Sequence, residues 1–217
     1  MTPLALGAGL VFAALGAASE RVASVWPADE PLKRSIGVRT LLFAIVSGAA
    51  AGAVAWRSAL PTWATLAYLL LLAPMVVLSA TDLEQRRLPH LVLDPLIVGA
   101  VVFVPFNPAV TPVDAAIGAA LAIGFLGVTG LLIRGGIALG DIYLVAPIGL
   151  MLGWPTIFTA VFFGALLSAV VGIGLLATRR AGLRSYIPFG PFLVAGLVVA
   201  LVIDPTRLGA TASLLFA

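Results

Sequence analysis

Residues 63–81 read WATLAYLLLLAPMVVLSAT, nineteen positions without a charged side chain, and the next residue is Asp82. A run of that length and polarity suits a helix crossing a bilayer, which takes roughly 20 apolar residues. The rest of the chain has the same character. Of its 217 residues, 62% are hydrophobic and only 10% charged, and the mean hydropathy is +1.19. Soluble domains average about 45–50% apolar and about 25% charged. The composition therefore predicts an all-α, polytopic membrane helix bundle.

Uncharged runs place the other spans at Leu4–Ser19, Thr40–Trp56, Leu91–Phe106 (broken by Asp94), Val113–Ile133, Gly135–Gly153, Pro155–Thr178 and Pro188–Ile203. With residues 63–81 this gives about eight transmembrane helices. The first run is followed, not preceded, by Arg21, Lys33, Arg34 and Arg39, so it reads as a retained span rather than a signal peptide. Alternate loops then carry ten and two of the twelve Lys and Arg residues, the poorer set holding only Arg57 and Arg207. The positive-inside rule puts the richer set in the cytoplasm and both termini outside. The organisation expected is a single membrane domain over 1–217, with two N-terminal spans (1–62) and a six-span core (63–204).

Composition also narrows the chemistry. The chain has no cysteine and one histidine, which excludes disulfides, thiol catalysis and cysteine metal sites. No metal and no cofactor are expected. The pI near 10 arises from few charges rather than a dense basic patch, so nucleic acid is not an expected partner. The bilayer is.

Acids near membrane depth are costly and usually functional. Glu20, Asp29, Glu30 and Asp204 read as solvated counter-charges at span ends, and Asp114, just after Pro112, as a helix cap. Asp94 has no such explanation. Asp82 and Asp141 stand apart. The topology brings both to the cytoplasmic side, and a helix starting near Gly135 would set Asp141 roughly 9 Å below the surface. Each alone could be an unrelated end-cap. Together, two adjacent carboxyls would share a proton. The ionised one can take a proton from water while the neutral one polarises a carbonyl, which is general acid–base hydrolysis of an amide.

Three segments surround these acids: Asp82-Leu83-Glu84-Gln85-Arg86-Arg87-Leu88-Pro89, Gly135-Gly136-Ile137-Ala138-Leu139-Gly140-Asp141 and Tyr186-Ile187-Pro188-Phe189-Gly190-Pro191-Phe192. Small residues such as Gly136, Ala138 and Gly140 permit close backbone approach, between helices or to an extended peptide. The prolines mark a rigid turn and a helix start. His90, beside Pro89, reads as an interfacial residue.

Taken together these segments resemble the bacterial prepilin peptidase family, the G-x-G-D class of intramembrane aspartic proteases. The family's D-x6-P pattern is matched by Asp82 to Pro89, its G-x-G-D by Ala138 to Asp141, and its I-P-F-G-P-F string by Ile187 to Phe192. The resemblance covers roughly Trp63 to Ile203 and is loose before that. It implies that Asp82 and Asp141 are catalytic, and that Gly136, Ala138, Gly140, Pro89, Pro188, Phe189, Gly190 and Pro191 shape the site. It also implies a prepilin or pseudopilin precursor as substrate, cut at the cytoplasmic face of the bacterial inner membrane after a leader glycine. Glu84, and less directly Glu20, are candidates to meet the basic leader.

Three departures qualify the resemblance. Ala138 replaces the first motif glycine, and His90 stands where the family commonly has Asn. The segment Glu20 to Arg39 is about twenty residues long and has no cysteine, where longer family members carry a zinc-binding domain and methyltransferase activity. The expectation is therefore a peptidase without N-methyltransferase activity. The competing readings are a secondary transporter or ion pathway, with Asp94 and Asp114 also lining the route, and a non-catalytic scaffold. Oligomeric state and the particular pilin system are open at this stage.

Overall fold

The computed structural model describes residues 2–27, 35–133, 137–179 and 187–204. Among them are eight α-helices and no strand: α1 (Pro3–Ala23), α2 (Val38–Arg57), α3 (Thr62–Gln85), α4 (His90–Phe103), α5 (Pro112–Leu132), α6 (Leu139–Leu152), α7 (Ile157–Ala177) and α8 (Gly190–Ile203). A 3-10 turn, Val104–Phe106, prolongs α4. Each uncharged run of the sequence becomes one helix. Five of them, α1, α2, α3, α5 and α7, are long and apolar enough to cross a membrane. The 14 residues of α6, and equally of α8, reach only about 21 Å at 1.5 Å per residue.

That shortening has local causes. The helix expected from Gly135 starts instead at Leu139, because Ala138 is extended at φ −77°, ψ 148°. Asp141 consequently lies in the first turn, nearer the helix end than the sequence suggested. In α8, Pro191 sits in the first turn, where its missing N–H costs nothing and its fixed φ favours the helix.

Helices α1–α2, α5–α6 and α7–α8 form the closest pairs, and α3 touches α1, α2, α4 and α8. In the most apolar stretch of α3, 67% of the residues are buried, against 17–39% for the other long helices. It is the central helix. Small residues let the outer pairs approach. A Cβ on Gly149 would lie 2.6 Å from Ala119 Cα, and one on Gly196 would collide with the Ala160 carbonyl. Such contacts substitute for a hydrophobic drive that lipid cannot supply between helices. Outward faces remain apolar, with Leu10, Leu70, Leu131 and Leu132 each more than 70% exposed. In water so much apolar surface would promote aggregation; against acyl chains it is matched.

Cross-links among the connecting segments show which helix ends lie together. Gln85 Nε2 donates to the Ala23 carbonyl, Arg39 pairs with Glu84 at 2.9 Å, the Gly190 N–H donates to Asp82, and Leu88 covers Gly140. The C-terminal ends of α1 and α3 thus meet the N-terminal ends of α2, α6 and α8. Opposite them, Tyr68, Asn107 and Met151 join α3, the α4–α5 connection and α6.

Candidate active site

Asp82 occupies the last turn of α3, where its carbonyl accepts the Arg86 N–H at 2.8 Å. Arg86 then takes a left-handed conformation, φ 54° and ψ 38°, which ends the helix and turns the chain. Asp82 remains facing inward, 3% exposed. Its Oδ2 accepts the backbone N–H of Gly190 at 3.1 Å. That N–H belongs to the first residue of α8, so the carboxyl caps an unpaired donor at the positive end of a helix.

Asp141 is 1% exposed. It is the third residue of α6, and its Oδ2 accepts the Ala138 N–H at 3.4 Å across the start of its own helix. Two features join it to Asp82. The Gly190 N–H also acts on the Asp141 carboxyl, and the Asp82 charge is close enough to act on it directly. Carboxyls 59 positions apart in sequence therefore come together beside the start of α8, where the Gly190 N–H is bonded to Asp82. Leu144, one turn further along α6 and fully buried, closes the same spot, its Cδ2 lying 3.5 Å from where a Gly190 Cβ would project.

Space at 190 is matched to glycine. A Cβ there would stand 2.8 Å from Asp82 Oδ2. Gly140 is similarly confined, since a Cβ would approach Leu88 Cδ1 to 3.0 Å; the Asp82–Pro89 loop thereby lies over the first turn of α6. Pro89 caps α4 and Phe189 caps α8, where it packs half-buried against the core. Pro188 precedes it, and Pro191 faces a trough between α2, α3 and α8. Ala138 has a backbone conformation open to any residue, so the missing glycine imposes no strain. Gly136 and Tyr186 lie outside the described residues.

Several acids differ from the sequence reading. Glu20 is buried, not solvated, and accepts the Thr40 hydroxyl at 2.7 Å, because α1 extends to Ala23 and carries it under α2. Asp204 is also buried, with Thr156 Oγ1 at 3.4 Å from Oδ2, because the end of α8 folds against the entry to α7. Asp29 and Glu30 lie outside the described residues. Asp94 gains its explanation: exposed, one turn into α4, it pairs with His90 Nδ1 at 2.9 Å. The His90 ring meets Tyr143 edge-on at 5.4 Å. Thr111 is the cap of α5, accepting the Asp114 N–H, while the Asp114 carboxylate lies in the first turn as expected and accepts the Thr111 hydroxyl. Asp94, exposed, and Asp114, partly buried, thus sit at opposite ends of the bundle and line no common route.

Glu84 is placed differently from its neighbour Asp82. Its side chain is 7% exposed and ion-paired with Arg39 at the start of α2. Sequence reasoning assigned Arg39 only to charge topology and passed over Gln85, which ties α3 to the end of α1. Neither has a motif to mark it. Among the described residues no group of three or more His, Cys, Asp or Glu could hold a metal ion.

Residues 69–173 match the type IV leader peptidase family. Curated relatives named prepilin leader peptidase/N-methyltransferase align with much of the chain. The Aeromonas hydrophila protein is 35% identical over 180 residues, 79% of this chain and 59% of the relative. That of Pseudomonas aeruginosa is 30% identical over 177 residues, 78% and 60% respectively. The Bacillus subtilis protein is 32% identical over 133 residues, 58% of this chain and 51% of its own length. The chain therefore spans between one half and three fifths of these relatives. No solved structure gives a significant match. The matched stretch, residues 69–173, carries both buried acids and is the part of the chain that is similar to the type IV leader peptidase family.

Proposed function

We propose that the protein is an aspartic endopeptidase of the bacterial inner membrane that removes the basic leader from prepilin-like or pseudopilin precursors. The observation that carries this reading is the approach of Asp82 and Asp141 to each other, both buried, beside the start of α8. A water held between the carboxyls loses a proton to the ionised one as it attacks the scissile carbonyl. The neutral carboxyl donates its proton to the carbonyl oxygen, giving a gem-diol. As the C–N bond breaks, the first carboxyl returns its proton to the leaving amine and the second recovers one from a gem-diol hydroxyl. Proton count is conserved through the cycle. Gly190 orients Asp82, Ala138 orients Asp141, and Gly140, Pro89, Pro188, Phe189 and Pro191 fix the loops that hold the peptide. The pair is closed off in this conformation, so a peptide would enter by a local opening, as lids do in other enzymes.

The charge asymmetry of the loops supports a cytoplasmic active site and external termini, with the chain acting as one membrane unit over 1–217. The relatives' second activity, N-methyltransferase, is not carried over. The segment between α1 and α2 is short and cysteine-free, and holds no room for the domain that longer members place there. Co-expression with a candidate precursor tests the reading. The leader should be lost from the precursor on a gel, and mass spectrometry should find the new N-terminus unmethylated. Asp82→Asn or Asp141→Asn should each abolish processing, and Asp94→Asn should leave it intact. Processing that survives either of the first two, or a methylated product from the purified protein, would contradict it.

A further inference from the structure

An apolar trough of about 640 Å³ lies between α2, α3 and α8. Val46 and Ala50 of α2, Val76 and Leu83 of α3, and Val194 and Val198 of α8 are among the residues that line it. On α2 the lining runs from Arg39 to Ala50, about 16 Å of helix. Among the described residues Arg39 is the only charged one in the lining, and it stands at one end. That end is the one bearing the acids: Leu83 follows Asp82 in the chain, and Pro191 follows Gly190. The turn Gly190–Pro191 therefore has the acid pair on one side and the trough on the other.

Polarity along the trough is what identifies an occupant. A long uncharged channel finishes in an ion pair, Arg39 with Glu84, in which the Glu84 side chain is 7% exposed and the Arg39 side chain 51%. A segment that is apolar for several turns and basic just beyond its N-terminal end matches this sequence of environments. We infer that the trough seats the apolar helix of the precursor, and that a basic leader residue takes over Glu84 from Arg39. This rests on the peptidase reading and adds to it where the substrate lies. With the helix against α3 and the leader at Glu84, the intervening backbone crosses the Gly190–Pro191 turn, next to both acids. Arg39, half-exposed, is released toward the headgroups. The internal pair thus acts as a weak competitor of the substrate.

The test uses the full chain in proteoliposomes and a synthetic precursor with two leader lysines ahead of a twenty-residue apolar helix. Removing the competitor, Arg39→Gln, should lower KM about threefold, the scale of a partly exposed ion pair. The gain should vanish when the leader lysines are changed to glutamine. Filling the trough, Val198→Trp, should raise KM about tenfold and leave kcat within about twofold, since only substrate seating is lost. Because the chain has no cysteine, single cysteines report position directly. Val46→Cys and Val198→Cys should form disulfides with a cysteine in the precursor's apolar helix, whereas Leu131→Cys, 83% exposed on α5, should not. Normal cleavage with unchanged KM in both variants, and no preferred cross-link, would leave the trough to lipid and overturn this inference alone. No cleavage by the parent chain would remove the peptidase reading with it.

Discussion

The two ends of the bundle both bury polar side chains, yet they do so in opposite ways. At the far end the Tyr68 hydroxyl lies within hydrogen-bond reach of Asn107 Oδ1 at 2.9 Å and the Met151 carbonyl at 3.0 Å. Asn107 Nδ2 donates to the same carbonyl at 3.2 Å, and Phe103 packs edge-on against the Tyr68 ring at 5.2 Å. These groups are neutral and mutually satisfied, which ties three elements together at little desolvation cost. At the other end two carboxyls are buried beside each other, Asp82 accepting the Gly190 N–H and Asp141 the Ala138 N–H. Like charges held close oppose each other. The first arrangement stabilises the bundle, and the second costs stability, as the proposed catalytic pair would.

The contrast can be broken most forcefully at the acids. Asp82→Asn and Asp141→Asn should each reduce leader cleavage by about 10³-fold or more. Their thermal midpoints in detergent should equal or exceed that of the parent chain, as expected where a strained site is relaxed. A large drop in midpoint would recast the acids as structural.

Gly190→Ala comes next. The added methyl would meet Asp82 Oδ2 at 2.8 Å, so the carboxyl must shift. A displacement of that order at a reacting group costs about 10²-fold in rate, read as kcat on purified protein with the substrate's KM little changed. At the far end the effect should invert. Tyr68→Phe removes the hydroxyl from Asn107 and Met151 and should cost about 1–3 kcal/mol of stability. Its kcat per folded molecule should be unchanged, so paired melting and activity measurements separate the two ends. The smallest effect is expected from Ala138→Gly. The backbone there is already in an ordinary extended conformation, and cleavage should stay within about twofold.

The sequence made the helices legible because charge is so rare in this chain that its gaps outline each one. The centrality of α3 was not legible, since apolar runs facing lipid and facing protein look alike. Burial of Glu20 and Asp204 escaped for a related reason: a charge at a span end is solvated or covered according to how far the helix continues, which composition does not specify. Asp82 and Asp141 were marked by depth and by the segments around them. Their partners, the backbone N–H groups of Gly190 and Ala138, have no side chain to betray them. The Arg39–Glu84 pair joins residues 45 positions apart, and no periodicity links them. Asp94 shows the converse, a residue made suspicious by position that proves to be a surface partner of His90.

The central claim, that Asp82 and Asp141 manage one proton together, is tested most directly by a double-mutant cycle on cleavage rate. Purified Asp82→Asn, Asp141→Asn and the double variant should all show the same residual rate toward one precursor, because removing either member already disables the unit. Single losses that multiply in the double variant would show two groups acting independently and would contradict the account.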